Sequence, residues 1–345
     1  MAVYFVTPGE SINAAILNAA PGDTIRLAAG TFYESVEIPA GKDRLRLLGA
    51  EKGKTILDGT GLGAGNGITL NANLVTISGF MIRDFQNDGI EVNANDNIIR
   101  NLTVQNNDMD GIEINGTRNL MMKIVSMLNG ENGIDILAGS HNYILESEIK
   151  NNRQSGIFIS DGTSHLILRN KVNANHVDGI AFENVSDGNF IIDNLSEHNR
   201  ENGISVNTNE NFVYRNKSNN NGNDGIYLIG EDNNLLLDNI TNHNDDDGID
   251  PSGGTNNRII GNVTKNNREE GIDLDLTAIG NIIDQNVVKQ NQRSGILLVS
   301  EAVDNAVREN KLSGNTPDIQ ADPPADVNNT LDENDCQSSS PPGLC

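Results

Sequence analysis

Tryptophan is absent from the 345 residues, and aromatic residues make up only 4% of them. A globule of this length draws heavily on large aromatic side chains for its core, so the scarcity points to a thin aliphatic interior. Positive charge is also scarce. Lys and Arg number 24 against 48 Asp and Glu, for a formal net charge of -24. That imbalance excludes nucleic acid and anionic membranes as partners by simple electrostatics and makes cations the expected companions. The same charge keeps an edge-rich repeat protein soluble. No apolar run approaches the roughly 18 residues of a membrane-spanning helix. The opening Met1-Ala2-Val3-Tyr4-Phe5 lacks the basic start and apolar core of a signal peptide. Only two cysteines occur, Cys336 and Cys345. A disulfide closing that short loop is expected, which favours a secreted or cell-surface setting; two thiols with no nearby His are too few for a metal site.

What the chain does have is a ruler. Eleven Gly-Ile dipeptides begin at Gly67, Gly89, Gly111, Gly133, Gly156, Gly179, Gly203, Gly225, Gly248, Gly271 and Gly295, each 22 to 24 residues after the last. A short regular repeat with β-branched residues and turn formers, and with no helical periodicity, means stacked strands. Period-two alternation, as in Gly89-Ile90-Glu91-Val92-Asn93, points each Ile inward and places the residues two and four after Gly in exposed columns. The Gly is expected at a corner with positive φ. Two Asn columns run alongside. One passes through Asn101, Asn170, Asn194, Asn216, Asn239, Asn262, Asn286 and Asn310, interrupted by Ile124 and Glu146. The other passes through Asn106, Asn129, Asn151, Asn175, Asn199, Asn221, Asn244, Asn267, Asn291 and Asn315. Asn suits repeated bends because it tolerates left-handed backbone and bonds to main-chain groups. The structural duty is preferred over glycosylation even where Asn194 and Asn239 head N-x-Ser/Thr triplets. The five His residues are expected as exposed polar groups on bends.

Three corners and three short strands per coil predict an all-β, right-handed parallel β-helix of about 12–13 coils. One domain is expected over residues 1–315, with 1–30 as N-terminal cap and first strand and 316–345 as an irregular tail or cap. A monomer is expected. The chain resembles the pectin-lyase-like superfamily: Gly9-Glu10-Ser11-Ile12-Asn13-Ala14-Ala15-Ile16 through Pro21-Gly22-Asp23-Thr24-Ile25 is similar to the capping helix and first strand of such proteins.

The column two residues after each Gly holds Thr69, Glu91, Glu113, Asp135, Phe158, Ala181, Ser205, Tyr227, Asp250, Asp273 and Leu297. Glu91, Glu113 and Asp135 stack on consecutive coils, where like charges repel unless compensated. Together with Asp88 and Asp110 they form a candidate Ca²⁺ site, because that ion takes several carboxylate oxygens in flexible geometry. A solvated acidic face is the plainer alternative. Asp245, Asp246, Asp247, Asp250, Glu269, Glu270, Asp273 and Asp275 make a second, denser patch, with Tyr227 one coil before and Arg268 and Arg293 beside it. Asp247 is a candidate metal ligand there. Carboxylates with a Tyr and an Arg in one groove suit proton transfer next to a sugar carboxylate. Phe158 and Tyr227 offer faces on which sugar rings stack, with Asp273 and Arg268 as further substrate contacts.

Asp247-Gly248-Ile249-Asp250-Pro251-Ser252 is similar to the Tyr-Gly-Phe-Asp-Pro-His stretch of bacterial mannuronan C-5 epimerases, parallel β-helices that act on alginate. The resemblance places Asp250 and Asp275 on active-site acids of that family and Arg293 on its active-site Arg. It departs at two positions, where Asp247 replaces the family's Tyr and Ser252 its His. The expectation is an acidic-polysaccharide-processing or -binding β-helix with an incomplete epimerase or lyase set, aided by Ca²⁺, in which Tyr227 acts as acid/base. A non-enzymatic surface or adhesive β-helix and a glycosidase with paired carboxylates are the alternatives.

Overall fold

The computed structural model describes residues 1–50 and 53–345 and forms two compact units, Met1–His176 and Val177–Cys345. Each is a parallel β-solenoid of three sheets, every strand pairing with its counterpart one coil away. Among the described residues the only helices are Ile12–Asn18 and Ala325–Asn328. The first is the expected cap: Ser11 Oγ accepts from Ala14 N at 3.1 Å, and Ile12 and Ile16 are buried. In the first unit the sheet built on the Gly-Ile ruler includes Ile68–Leu70, Ile90–Val92, Ile112–Ile114, Ile134–Ile136 and Ile157–Asp161. In the second it includes Ile204–Val206, Ile226–Ile229, Ile249–Ser252, Ile272–Leu274 and Ile296–Leu298. Ile90, Ile112, Ile134 and Ile157 stack in the core with no exposure, each burial stabilising by about 1.5–3 kcal/mol.

The ruler glycines have no positive φ, contrary to expectation. Their reason is space. A Cβ on Gly111 would lie 2.1 Å from Ser126 Oγ, 2.4 Å from Gly133 O and 2.7 Å from Asn129 Nδ2. The coils touch here through backbone, and Ser126 Oγ fills the corner by donating to Gly133 O at 2.7 Å.

The Asn columns are buried hydrogen-bonded ladders, with two corrections of register. The rung four residues before each Gly is Asn107 and Asn152, not Asn106 and Asn151, which take positive φ of 55° and 54° at the adjoining bend. Nine residues before the Gly stand Leu102 and Ser147, not Asn101 and Glu146, which again are the positive-φ neighbours. Asn244 shows the working geometry: its Oδ1 accepts from both Asn221 N and Asn221 Nδ2 at 3.1 Å. Asn239 is fully buried and its Nδ2 donates to Val213 O at 2.8 Å, so the triplet it heads serves the fold. A third ladder, fourteen residues before the Gly, runs through Asn97, Asn119, Asn142 and His165 in the first unit and Asn211, Asn234, Asn257 and Asn281 in the second, and continues to Asn305 beyond the last ruler Gly. His165 is therefore a buried rung, with Nδ1 accepting from Asn142 N at 3.2 Å. His198 and His243 do occupy positive-φ bends.

Beyond residue 316 the chain is more regular than expected. Ile319–Ala321 pairs with Ile296–Leu298, Thr330–Asp332 pairs with Ala306–Arg308, and Ser339–Ser340 adds one more strand. Cys336 and Cys345 are joined by a disulfide.

Candidate active and cation sites

The position just before each ruler Gly forms a fourth ladder, and it sets the chemistry. Its side-chain oxygen accepts the backbone N–H of the equivalent residue in the following coil. In the first unit Asp110 N donates to Asp88 Oδ1 (3.0 Å), Asn132 N to Asp110 Oδ1 (2.7 Å) and Ser155 N to Asn132 Oδ1 (3.0 Å). In the second Asn202 N donates to Asp178 Oδ1 (2.8 Å), Asp224 N to Asn202 Oδ1 (3.1 Å), Asp247 N to Asp224 Oδ1 (2.9 Å) and Glu270 N to Asp247 Oδ1 (2.6 Å). Asn132 and Asn202 do this work without charge. The acids at Asp88, Asp110, Asp224 and Asp247 therefore bring something the ladder does not require.

In the second unit these acids converge with the column two residues after Gly. Oxygens of Asp224, Asp246 and Asp247 all lie within 4.8 Å of one another, as do those of Asp247, Glu270 and Asp273. Asp224 and Asp247 are each 6% exposed. Burial, reinforced by Asp273, Asp224 and Asp250, pushes Asp247 up to about 11. Burial and then Asp224, Asp273 and Asp275 push Asp250 up to about 10, and Asp273 rises to about 8 by burial and the charge of Asp275. Asp250 Oδ1 and Asp273 Oδ1 are buried with no hydrogen-bond partner. Tyr227 is in register with Asp250 on the neighbouring strand, and burial followed by the charge of Asp250 raises its phenol. Pro251 interrupts the sheet. It has no N–H for the rung to the next strand, and pairing with Ile272–Leu274 is confined to Ile249↔Ile272. Ser252 Oγ donates to Asp275 Oδ1 at 2.5 Å. The residue after Asp275 is Leu276, exposed at 55% with a φ of 47° that disfavours any branched or bulky side chain.

The sequence-derived residues thus divide. Asp250, Asp273, Asp275, Tyr227, Ser252 and Asp247 form one cluster. Arg293 is at its edge and exposed, held by Glu269 Oε2 at 2.6 Å and 3.9 Å from Glu270 Oε2. Arg268 pairs with Asp245 at 3.3 Å. Phe158 is half-buried on the Gly-Ile sheet of the first unit, whereas Tyr227 belongs to the second. Asp224 went unnoticed in the sequence. Its signal was present: like Asp88 and Asp110, it immediately precedes a ruler Gly.

In the first unit Glu91, Glu113 and Asp135 are in direct register on adjacent strands. They are half-buried or buried rather than exposed. Glu91 turns away to accept from Asn66 Nδ2 at 2.8 Å. Asp88, Asp110 and Glu113 bring oxygens within 4.8 Å of one another. Burial is the leading cause that lifts Asp110 to about 8, Asp135 to about 7 and Asp88 to about 6.

Comparison with known proteins agrees with this architecture. Residues 4–132 match a family model described as Pel9A-like, right handed beta helix region, and residues 185–312 match one described as right handed beta helix region. No curated protein matches the sequence. Among solved structures, the Dettilon tailspike protein has a TM-score of 0.68 at 17% identity, covering 94% of this chain and 70% of its own. The Azotobacter vinelandii mannuronan C-5 epimerase AlgE6 A-module has a TM-score of 0.66 at 15% identity, covering 99% of this chain and all of its own (100%). The periplasmic alginate epimerase AlgG has a TM-score of 0.60 at 16% identity, covering 97% of this chain and 84% of its own. The pectin-lyase-like resemblance holds at the level of fold, which is what identities this low show. No helix among the described residues is long and apolar enough to cross a membrane.

Proposed function

We propose that the chain binds and processes an acidic polysaccharide on the Gly-Ile face of its second unit, by proton transfer at C-5 of a uronate. The observation that carries this reading is the pair of buried, unpartnered carboxylate oxygens on Asp250 and Asp273 beside Tyr227, at the one place where Pro251 opens the sheet. A polyanion approaching so many acids needs their charge suppressed. Burial, the largest cause of the rise in Asp250, favours its protonated form whether or not a cation screens Asp224, so Asp250 can donate a hydrogen bond to the sugar carboxylate. Withdrawing charge from that carboxylate acidifies C-5. The oxygens of Asp224, Asp246 and Asp247 fit a hard divalent cation: Asp224 and Asp247 each commit one oxygen to a backbone N–H and keep the other. Ca²⁺ held there would supply positive charge against the substrate's carboxylate. Tyr227, whose phenol is raised by burial and then by the charge of Asp250, serves as proton donor on one face of the sugar. Asp275, oriented by Ser252 Oγ, is the acceptor on the other. Arg293 serves as an outer contact, since Glu269 already engages it.

Incubation with alginate and polygalacturonate, with and without Ca²⁺, tests this. NMR of C-5 configuration reports epimerisation, and ultraviolet absorbance of unsaturated uronates reports elimination. Asp275→Asn is expected to keep polysaccharide binding, since the amide matches the acid in shape, and to lose turnover, since it no longer accepts the C-5 proton. A folded wild-type chain silent in both assays would rule the reading out. Glycoside hydrolysis is the second reading, favoured by the pairing of a protonated Asp250 with Asp275; it would show as new reducing ends without unsaturation.

A further inference from the structure

The first unit carries an acid cluster that takes no part in the chemistry above. Asp88 and Asp110 are 6% and 3% exposed, and each spends Oδ1 on a ladder N–H while its second oxygen stays uncommitted. Glu113 uses Oε1 to accept from Asn115 Nδ2 at 2.7 Å. These three side chains bring oxygens within 4.8 Å of one another. A separate observation comes from Asp135, on the strand next to Glu113 and only 5% exposed, whose Oδ1 is buried with no partner at all. Asp135 stands in direct register with Glu113 on the adjacent strand, and among the charges that raise Asp110 its own is the largest. Among the described residues no Lys or Arg forms an ion pair with any of the four. Four converging carboxylates without a countercharge, one of them with a desolvated idle oxygen, are costly unless something cationic or protonic joins them.

Charge is not needed there for folding, because Asn132 fills the next rung of the same ladder with a neutral amide. We infer that Asp88, Asp110, Glu113 and Asp135 form a second divalent-cation site, selective for an oxygen-seeking ion of the Ca²⁺ class and independent of the reactive cluster in the second unit. The donor set contains only oxygens, with no His or Cys, which suits Ca²⁺ over zinc or copper. Such an ion would tie three successive coils together through Asp88, the pair Asp110 and Glu113, and Asp135.

The experiment uses the full chain, stripped with a chelator and titrated with Ca²⁺ in equilibrium dialysis. Asp110→Asn and Asp135→Asn together keep ladder geometry while removing two ligand charges, and Glu113→Gln probes the site from outside the ladder. Wild type is expected to bind one more Ca²⁺ per chain than either variant, and its Ca²⁺-induced rise in melting temperature is expected to shrink in both. Asp246→Asn, in the second unit, should remove a different ion and leave this one in place. Unchanged stoichiometry in both first-unit variants would overturn the inference, as would a wild type that binds nothing at roughly millimolar Ca²⁺, the weak end of the range for extracellular sites. The proposed sugar chemistry fails separately, through absence of turnover.

Discussion

Asp178 allows the cost of an unneeded charge to be measured alone. It is 8% exposed, bonded through Oδ1 to Asn202 N at 2.8 Å, and burial together with Glu201 and Glu183 raises it from 3.8 to about 7. A carboxyl whose folded pKa lies above its unfolded one makes the folded state the better proton binder, so stability falls as pH rises. The cost is absent below about pH 4, grows through the window from 4 to 7, and is complete above 7. A shift of roughly 3 units at ~1.4 kcal/mol each gives a ceiling of ~4 kcal/mol. Asn keeps the acceptor that Asn202 N needs but brings an amide N–H₂ that must find partners, which takes back about 1–3 kcal/mol. Asp178→Asn is therefore expected to stabilise by about 2 kcal/mol at pH 8 and to destabilise by about 2 kcal/mol at pH 4, where the charge cost is gone and that of the amide remains. Urea unfolding of both proteins in chelator, at half-unit steps across that window, gives the difference directly, and subtraction cancels the other titrating acids. A difference that stays flat with pH, or a variant weaker than wild type at pH 8, would refute the reasoning.

Two further perturbations test the frame that holds these acids. Gly111→Ala forces a Cβ to within 2.4 Å of Gly133 O and 2.1 Å of Ser126 Oγ, and should destabilise by about 3 kcal/mol in thermal melts. Gly63→Ala, where a Cβ meets nothing within 4 Å and φ is not positive, should change stability by less than about 1 kcal/mol. Asn244→Ala strips the acceptor from Asn221 N, while Asn221 Nδ2 keeps Ser196 O and Ser218 Oγ, each at 3.3 Å; one buried donor left unpaired predicts a loss of about 1–3 kcal/mol, with amide exchange fastest at residue 221.

The strands were legible because Gly-Ile repeats with little noise and Ile must face inward. Ladder registers were harder, since Asn106-Asn107 and Asn151-Asn152 present two identical side chains, one at a left-handed bend and one in the core. Spacing resolves them once it is measured to the following Gly. Asn107, Asn129, Asn152 and Asn175 each stand four residues before the next ruler Gly, although the ruler itself varies from 22 to 24. Variation in coil length is thus confined to the corner that follows each Gly-Ile strand, where Gly253 and Leu276 also take positive φ. That corner flanks the reactive cluster, as expected where repeat insertions collect on the binding face. The third ladder was missed because His165 stands at an Asn position and nothing in a lone sequence marks it as a rung. The ion pair of Arg293 with Glu269 was equally hidden, since it depends on which of several neighbouring acids the side chain reaches.

The fourth ladder links fold and chemistry through a comparison within the chain. Asn202 and Asn132 show that an amide suffices for the rung, so each Asp there is tolerated at a cost or retained for an ion. Asp178 joins no group of converging acids, whereas Asp110 and Asp247 do. The three should then part company when Ca²⁺ is added. Asp178→Asn should keep its stabilising effect with or without the ion. Asp110→Asn should stabilise in chelator, for the same desolvation reason, and lose that advantage in Ca²⁺, because the wild type gains the binding energy of an ion that the variant no longer holds. Melting curves of the two variants in chelator and in Ca²⁺ decide it. If Ca²⁺ treats both alike, the acids of the first unit are a solvated face that the fold tolerates, and the separation between structural rung and ion ligand disappears.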